Sequence, residues 1–506
     1  MNPRVRMILF VAAGAALGIA IGVEIADESY GLSALISLAA TWLALRKTNP
    51  GAPDAWLVAV IMVGYIVGNR GFAQLQPAAQ IPLLPAEAVL LFVVPSLLFR
   101  IAVKRSRGFQ ADALNYSILA WMILGAIRLP RDMQTFGVIA LRDFATIYYA
   151  CFFFIAQDLA GQEDSRRIMK GALTWSYLLL PPVVVSIVIS PDFLLDHLTI
   201  RGIPLIYHKS DLIAMSLAGG FFWLWTRWEK TQHARWIAAA ATSLILIGAM
   251  DSPRAGMFAV AVTTALWIFT GRWRIAAAEG FVVTGALALS IAYVVLTGRD
   301  LKTSAPYSVY EHAISIFDPA GQGTYINGES GDPGGNNRFR LIWWRDVAED
   351  TLAQNPVMGI GFGGDLASRF LADYDLLSDE NFAARSPHSI VFTVIGRMGL
   401  LGLTAWIAIS ASLLTLAWKT LKSGDPDQRG LVSVALSVFL SACFGVVLEG
   451  PMGAVAFWTV LGIANARGRT IQPSGPASPQ THCTSTASGE WPVANGASLG
   501  SESVAR

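Results

Sequence analysis

Apolar residues in this chain come in long blocks of helix length, separated by short loops that carry Lys and Arg. In a bilayer core about 30 Å thick, backbone N–H and C=O groups find no water, so such blocks are stable only as spanning helices of about 20 residues. The pattern excludes a soluble enzyme: only 14% of residues are charged, against roughly 25% in soluble domains. With net charge +2 and no long basic run, no nucleic-acid partner is indicated. The three cysteines, Cys151, Cys443 and Cys483, are too scattered for a disulfide framework or a CxxC metal site.

A ruler of about 17 to 25 apolar residues per span marks fourteen candidate helices: 7–23, 31–45, 55–68, 83–99, 113–127, 138–159, 171–189, 212–226, 236–250, 255–270, 275–296, 388–418, 430–448 and 452–466. The Arg4/Arg6 start followed by an apolar run resembles a secretory signal, but it lacks a cleavage site and reads as the first helix. Some segments are short and the twelfth is long, so the expected fold is an all-α polytopic transmembrane bundle of about 12–14 spans.

Positive charge resists translocation and collects on the cytoplasmic side. Twenty-one Lys and Arg fall on one alternate set of loops, from Arg4/Arg6 through Arg100, Lys170 and Arg227 to Arg467/Arg469. Six fall on the other: Arg70, Arg128, Arg131, Arg201, Lys209 and Arg254. Both termini are therefore expected inside. The expected parts are helices 1 to 11 over 1–297, an outer loop over 298–387, helices 12 to 14 over 388–466, and a cytoplasmic tail over 467–506. The tail is rich in Ser, Pro, Gly and Thr and reads as disordered. In the outer loop, Gly321 to Asn337 reads as flexible and glycine-rich, and a helix is expected from Arg338 to Gln354, ended by Asn355-Pro356.

Ionisable groups near spans are costly and are candidate functional groups. Arg254, in Asp251-Ser-Pro-Arg-Ala-Gly256, has a planar fork that suits a phosphate; it equally suits snorkelling to the interface. Arg338 and Arg340, interleaved with Trp343 and Trp344, fit a helix lying on the membrane interface or a substrate site. His388, in Arg385-Ser-Pro-His-Ser389, stands at the outer mouth of a helix, where imidazole can take a proton from a hydroxyl or serve structure alone. His208 and Lys209 lie on an outer loop and either help hold a diphosphate or are simply solvated. Arg142-Asp143 reads as a self-neutralising pair inside a span. Gly359-Ile-Gly-Phe-Gly-Gly364 looks like a phosphate fingerprint but does not follow a strand, so it reads as a turn. Asp373, Asp375, Asp379 and Glu380 read as a solvated run rather than a metal site, and no metal or cofactor is expected.

These residues resemble the O-antigen ligase family. Its pattern is a histidine followed by Asn, Ser or Gln, nine residues, a glycine, two residues, and Gly, Thr or Tyr; His388-Ser389, Gly399 and Gly402 fit it. Ser252-Pro-Arg254-Ala-Gly256, an arginine-to-tryptophan helix and Pro356-Val-Met-Gly359-Ile-Gly361 follow the same order over roughly 200 to 465. The resemblance implies a glycosyltransferase of the bacterial inner membrane that moves a glycan from undecaprenyl diphosphate to a glycan or lipid A-core acceptor on the periplasmic side. It implies that His388 activates the acceptor, that Arg254 and either Arg338 or Arg340 bind the diphosphate, and that arginines stabilise the leaving group without a metal. A polymerase of the same family is the alternative. A transporter of envelope glycans fits less well, because the polar groups gather at outer helix ends and in one asymmetric loop rather than through mid-membrane repeats.

Overall fold

The computed structural model describes residues 39–40, 42, 51–75, 83–103, 106, 108–200, 202–250, 253–326, 333–373 and 385–466. The first two candidate spans and the tail lie outside these residues or nearly so. Each of the other twelve candidates is helical. In chain order they are α1 (Ala52–Val63, running into a π-turn at Gly64–Gly68), α2 (Pro85–Ala102), α3 (Ala113–Phe136), α4 (Val138–Ala160, in three pieces), α5 (Glu163–Ile189), α6 (Ser210–Thr231), α7 (Ala234–Gly248), α8 (Arg254–Phe269) and α9 (Arg274–Leu296). After α10 (Ala305–Ser315), α11 (Pro333–Gln354) and α12 (Ser368–Asp373) in the hydrophilic insert come α13 (Ile390–Ser423), α14 (Pro426–Ala442) and α15 (Pro451–Asn465). Among the described residues the strands are one two-residue hairpin, Thr199–Ile200 with Ile203–Pro204. The protein is an all-α helical membrane protein. Among the described residues six helices are long and apolar enough to cross a bilayer: α2, α3, α4, α5, α9 and α13.

Local signals account for the helix starts. Asp112 caps α3 by accepting the Asn115 N–H at 2.9 Å, and Asp425 caps α14 through Gln428 N–H at 3.1 Å. Pro85, Pro426 and Pro451 open their helices at positions where the missing N–H costs nothing. The core is built around α6, whose residues Leu212 to Thr226 are buried on every side by α5, α7, α8 and α14. A helix apolar all round is expected only in such a place or in lipid. α9 is the converse case, with 6% of its apolar window buried inside the protein, so its Phe281, Leu289 and Leu296 are left to face lipid.

Four expectations change. α3 runs nine residues past the expected end at 127, because Arg128 and Asp132 pair at 2.9 Å one turn apart and are buried instead of forming a loop. Residues Pro333 to Asn337 belong to α11 rather than to the glycine-rich loop. Arg100, counted with the loops, is 6% exposed and bonds Asp54 and Asp158. Arg142 is exposed and does not neutralise Asp143, whose carboxylate meets Arg397 at 2.8 Å.

Candidate functional site

The nine residues from Pro356 to Gly364 make the turn that the sequence suggested, and its glycines are there for geometry. Gly359, Gly361 and Gly363 have φ of +78°, +115° and +89°, where a side chain is strained. The backbone N–H groups of this turn are already engaged: Phe362 donates to Asp132 at 2.7 Å and Gly363 to Asp143 at 2.9 Å. No free nest for phosphate is left at these positions. Arg128 donates to Gly359 O at 2.9 Å and Arg397 to Gly361 O at 3.0 Å, so two buried arginines hold the turn from either side.

The turn packs into a break in α13. Gly399 there has φ +60° and ψ −153°, a region open essentially to glycine alone. The Leu400 and Leu401 N–H groups, whose helical partners the break disturbs, donate to Pro356 O at 2.9 Å and Val357 O at 3.2 Å, and Ile360 N–H donates to Gly396 O at 2.7 Å. A Cβ on Gly399 would lie 2.5 Å from Gly359 N. The glycine eleven residues after His388 is thus required by two backbones touching.

His388 precedes α13 by two residues and is itself left-handed, at φ +55°. A β-carbon residue stays in that region only when its surroundings hold it there. Trp344 Nε1 donates to Pro387 O at 2.6 Å, Arg385 donates to Gly363 O at 3.2 Å, and Ser386 donates to Glu449 at 3.0 Å. Thr393 donates to the same Glu449 oxygen at 3.0 Å, so one carboxyl spans the residues on both sides of His388. Burial raises the carboxyl of Glu449 above its ordinary range, and its second oxygen has no hydrogen-bond partner among the described residues. Trp343, fully buried and stacked on Phe370 at 4.7 Å, sits 5.7 Å from the imidazole. Both tryptophans pack against the segment that carries His388.

The imidazole of His388 is half-buried and makes no hydrogen bond among the described residues. Burial first, then the nearby charges of Arg340 and Lys209, depress its pKa to about 4, against the opposing pull of Asp211. It is neutral at pH 7 and free to accept a proton. Arg340 is itself brought down to about 10 by burial and by Arg254, and remains charged. Its Nε is buried without a hydrogen-bond partner among the described residues. Arg254 donates to Asn337 Oδ1 at 2.7 Å, and Asn337 is pinned by its amide to Ser315 O and Asp318 O. A cavity of about 140 Å³ opens here, lined by Arg254, Asn337 and Arg340 together with Phe258, Trp344 and Phe444.

The sequence-derived residues divide accordingly. Arg254, Arg340, Lys209 and His388 come together. Arg338 turns away, exposed and donating to Gly321 O. His208 leaves the group as well: its Nε2 bonds Val67 O at 2.6 Å, and burial holds its pKa near 4. Asp211 was missed; it pairs with Lys209 at 3.2 Å and is the one carboxylate among the charges that act on both His388 and Arg340. Glu449 was also missed, since a lone Glu between two apolar blocks gives no pattern to read. Of the acidic run, Asp373 ends α12, and Asp375, Asp379 and Glu380 lie outside the described residues.

Residues 244–407 match the O-antigen ligase family. The chain carries an O-antigen ligase domain. The match takes in Arg254, Arg340, the glycine turn, His388, Gly399 and Gly402, and leaves Lys209, Asp211 and Glu449 outside it. A search of curated proteins returns no match. O-antigen ligase domains belong to glycosyltransferase-like membrane enzymes, ligases and polymerases, whose substrates are a lipid-linked glycan and a glycan acceptor.

Proposed function

We propose that this protein transfers a glycan from undecaprenyl diphosphate to an acceptor hydroxyl at the periplasmic face of the inner membrane, without a metal ion. The observation that carries the reading is Arg340: a half-buried, charged guanidinium with a buried, unpartnered Nε, next to a second arginine and beside a neutral histidine. Arg340 and Arg254 hold like charges close together with Asp211 as the one carboxylate acting on Arg340, a costly arrangement, and a diphosphate adds negative charge through the arginine fork. The apolar wall of Phe258, Trp344 and Phe444 suits the first isoprene units of the lipid. The count of loop Lys and Arg supports an outward-facing site.

In this reading the acceptor hydroxyl attacks the anomeric carbon of the donor sugar, forming the new C–O bond as the bond from that carbon to the diphosphate oxygen breaks. His388 takes the hydroxyl proton. Arg254 and Arg340, with Lys209 nearby, stabilise the charge that develops on the lipid diphosphate as it leaves, the work that a divalent cation does elsewhere. A polymerase would use the same site with a second lipid-linked glycan as acceptor.

The test is a pair of variants in purified protein supplied with lipid-linked glycan and acceptor. Hydrogen bonds to charged groups contribute roughly 1.5 to 3 kcal/mol, so Arg340→Gln should lose about 10- to 150-fold in transfer. Arg338→Gln, outside the cavity, should stay within about threefold. Equal losses in both, or none in Arg340→Gln, would remove the arginine from this role.

A further inference from the structure

We propose that the end of the helix bundle opposite His388 binds the phosphate headgroup of an anionic phospholipid through Lys170, Arg227 and Lys230. α6 has 22 residues and is about 33 Å long, so its two ends reach opposite faces of a membrane. Its first turn carries Asp211, at the candidate site. Its last turns carry Arg227 and Lys230, which meet Asp427 of α14 at 3.0 and 3.2 Å, and Lys170 of α5 joins the same carboxylate at 3.1 Å. Asp427 is 7% exposed, so one buried carboxylate answers three cations.

The adjoining groups do not make up the deficit. Glu229 pairs with Arg429 at 2.6 Å, and Arg272 lies within electrostatic reach of that pair. Glu163, which also feels Lys170, is paired with Arg166 and Arg167, so seven cations face three carboxylates. The Arg429 side chain is 7% exposed, and its Nε has no hydrogen-bond partner among the described residues. The cations also differ in reach. Arg227 is committed to Asp427, Thr174 and the face of Trp223, whereas the Lys230 ammonium is half-exposed and has donors to spare. The exposed Trp175 of α5 and the half-buried Trp228 of α6 lie within two helical turns of these cations, a placement that suits indoles near the headgroup layer. Basic clusters between helix ends at that depth are the setting in which lipid phosphates are held.

The shared chemistry is a phosphate oxyanion, and a lipid headgroup and free phosphate are its two sources. The experiment adds phosphatidylglycerol or phosphatidylcholine to the detergent-purified full chain and counts retained lipid by native mass spectrometry, with and without millimolar inorganic phosphate. Phosphatidylglycerol should be retained about tenfold more strongly, inorganic phosphate should displace little of it, and Lys170→Gln with Lys230→Gln should erase most of the preference. Asp427→Asn, which removes the competing carboxylate, should hold phosphatidylglycerol at least as well as the wild type. Should that variant fail to fold, Lys230→Gln alone decides, because its side chain is half-exposed. Equal retention of the two lipids, an unchanged preference in the lysine variants, or full displacement by inorganic phosphate overturns the proposal.

Discussion

Gly399→Ala tests whether the family's glycine spacing is a backbone requirement. The new Cβ would lie 2.5 Å from Gly359 N and 2.6 Å from Val357 C and O, all main-chain atoms that cannot rotate away. The conformation at φ +60°, ψ −153° adds about 1 to 3 kcal/mol for a residue with a side chain, and forced overpacking adds about 1 to 3 kcal/mol. A total of about 2 to 6 kcal/mol would part the turn from α13 and release the 385–389 segment that holds His388. Gly280→Ala in α9 is the control: nothing lies within 4 Å of its Cβ, and alanine is the better helix former by about 1 kcal/mol. Thermal unfolding in detergent, read together with transfer activity, should show a lowered midpoint and lost transfer for Gly399→Ala and neither for Gly280→Ala. Wild-type stability and activity in Gly399→Ala would refute the steric reasoning.

Two further predictions concern the histidine segment. With a folded pKa near 4, His388 stays neutral as pH falls from 8 to about 5, so kcat/KM of the free enzyme should show no loss assignable to this group until pH nears 4. The unfolded histidine titrates near 6.5; between 6.5 and 4 the unfolded chain binds a proton that the folded chain does not, so this group destabilises the fold as pH drops through that window. An acid limb that sits at 6.5, followed in a pH series at fixed temperature, would contradict the buried neutral imidazole. Glu449→Ala should lower kcat for transfer by about tenfold or more through lost orientation of His388, while Glu449→Gln, which keeps an oxygen for Ser386 and Thr393, should recover most of it; a variant pair with equal kcat would count against this role of Glu449.

What the sequence made readable was governed by local rules. Span length and the Asn355-Pro356 stop depend on neighbours in the chain, and both were legible. Hydropathy blocks placed twelve described helices, but could not tell α6, buried in protein, from α9, facing lipid, because both environments are apolar. Arg100 was misplaced because its partners Asp54 and Asp158 lie on other helices that only packing brings to it, whereas Arg128 pairs with Asp132 one turn on in its own helix and is covered by the glycine turn that accepts its second hydrogen bond. The choice between Arg338 and Arg340 needed the rotation of α11, since two residues apart on a helix point to different faces. His208 and Lys209, adjacent in the chain, likewise part company, one toward Val67 and the other toward Asp211.

The most direct measurement of the central claim is transfer by purified His388→Ala protein, with the wild type run with and without EDTA. A positioned base contributes about 10²- to 10⁴-fold. Loss of that order in the variant, with wild-type turnover unchanged by EDTA, is the expected result. Near-normal turnover in His388→Ala, or wild-type activity abolished by EDTA and restored by a divalent ion, would contradict it.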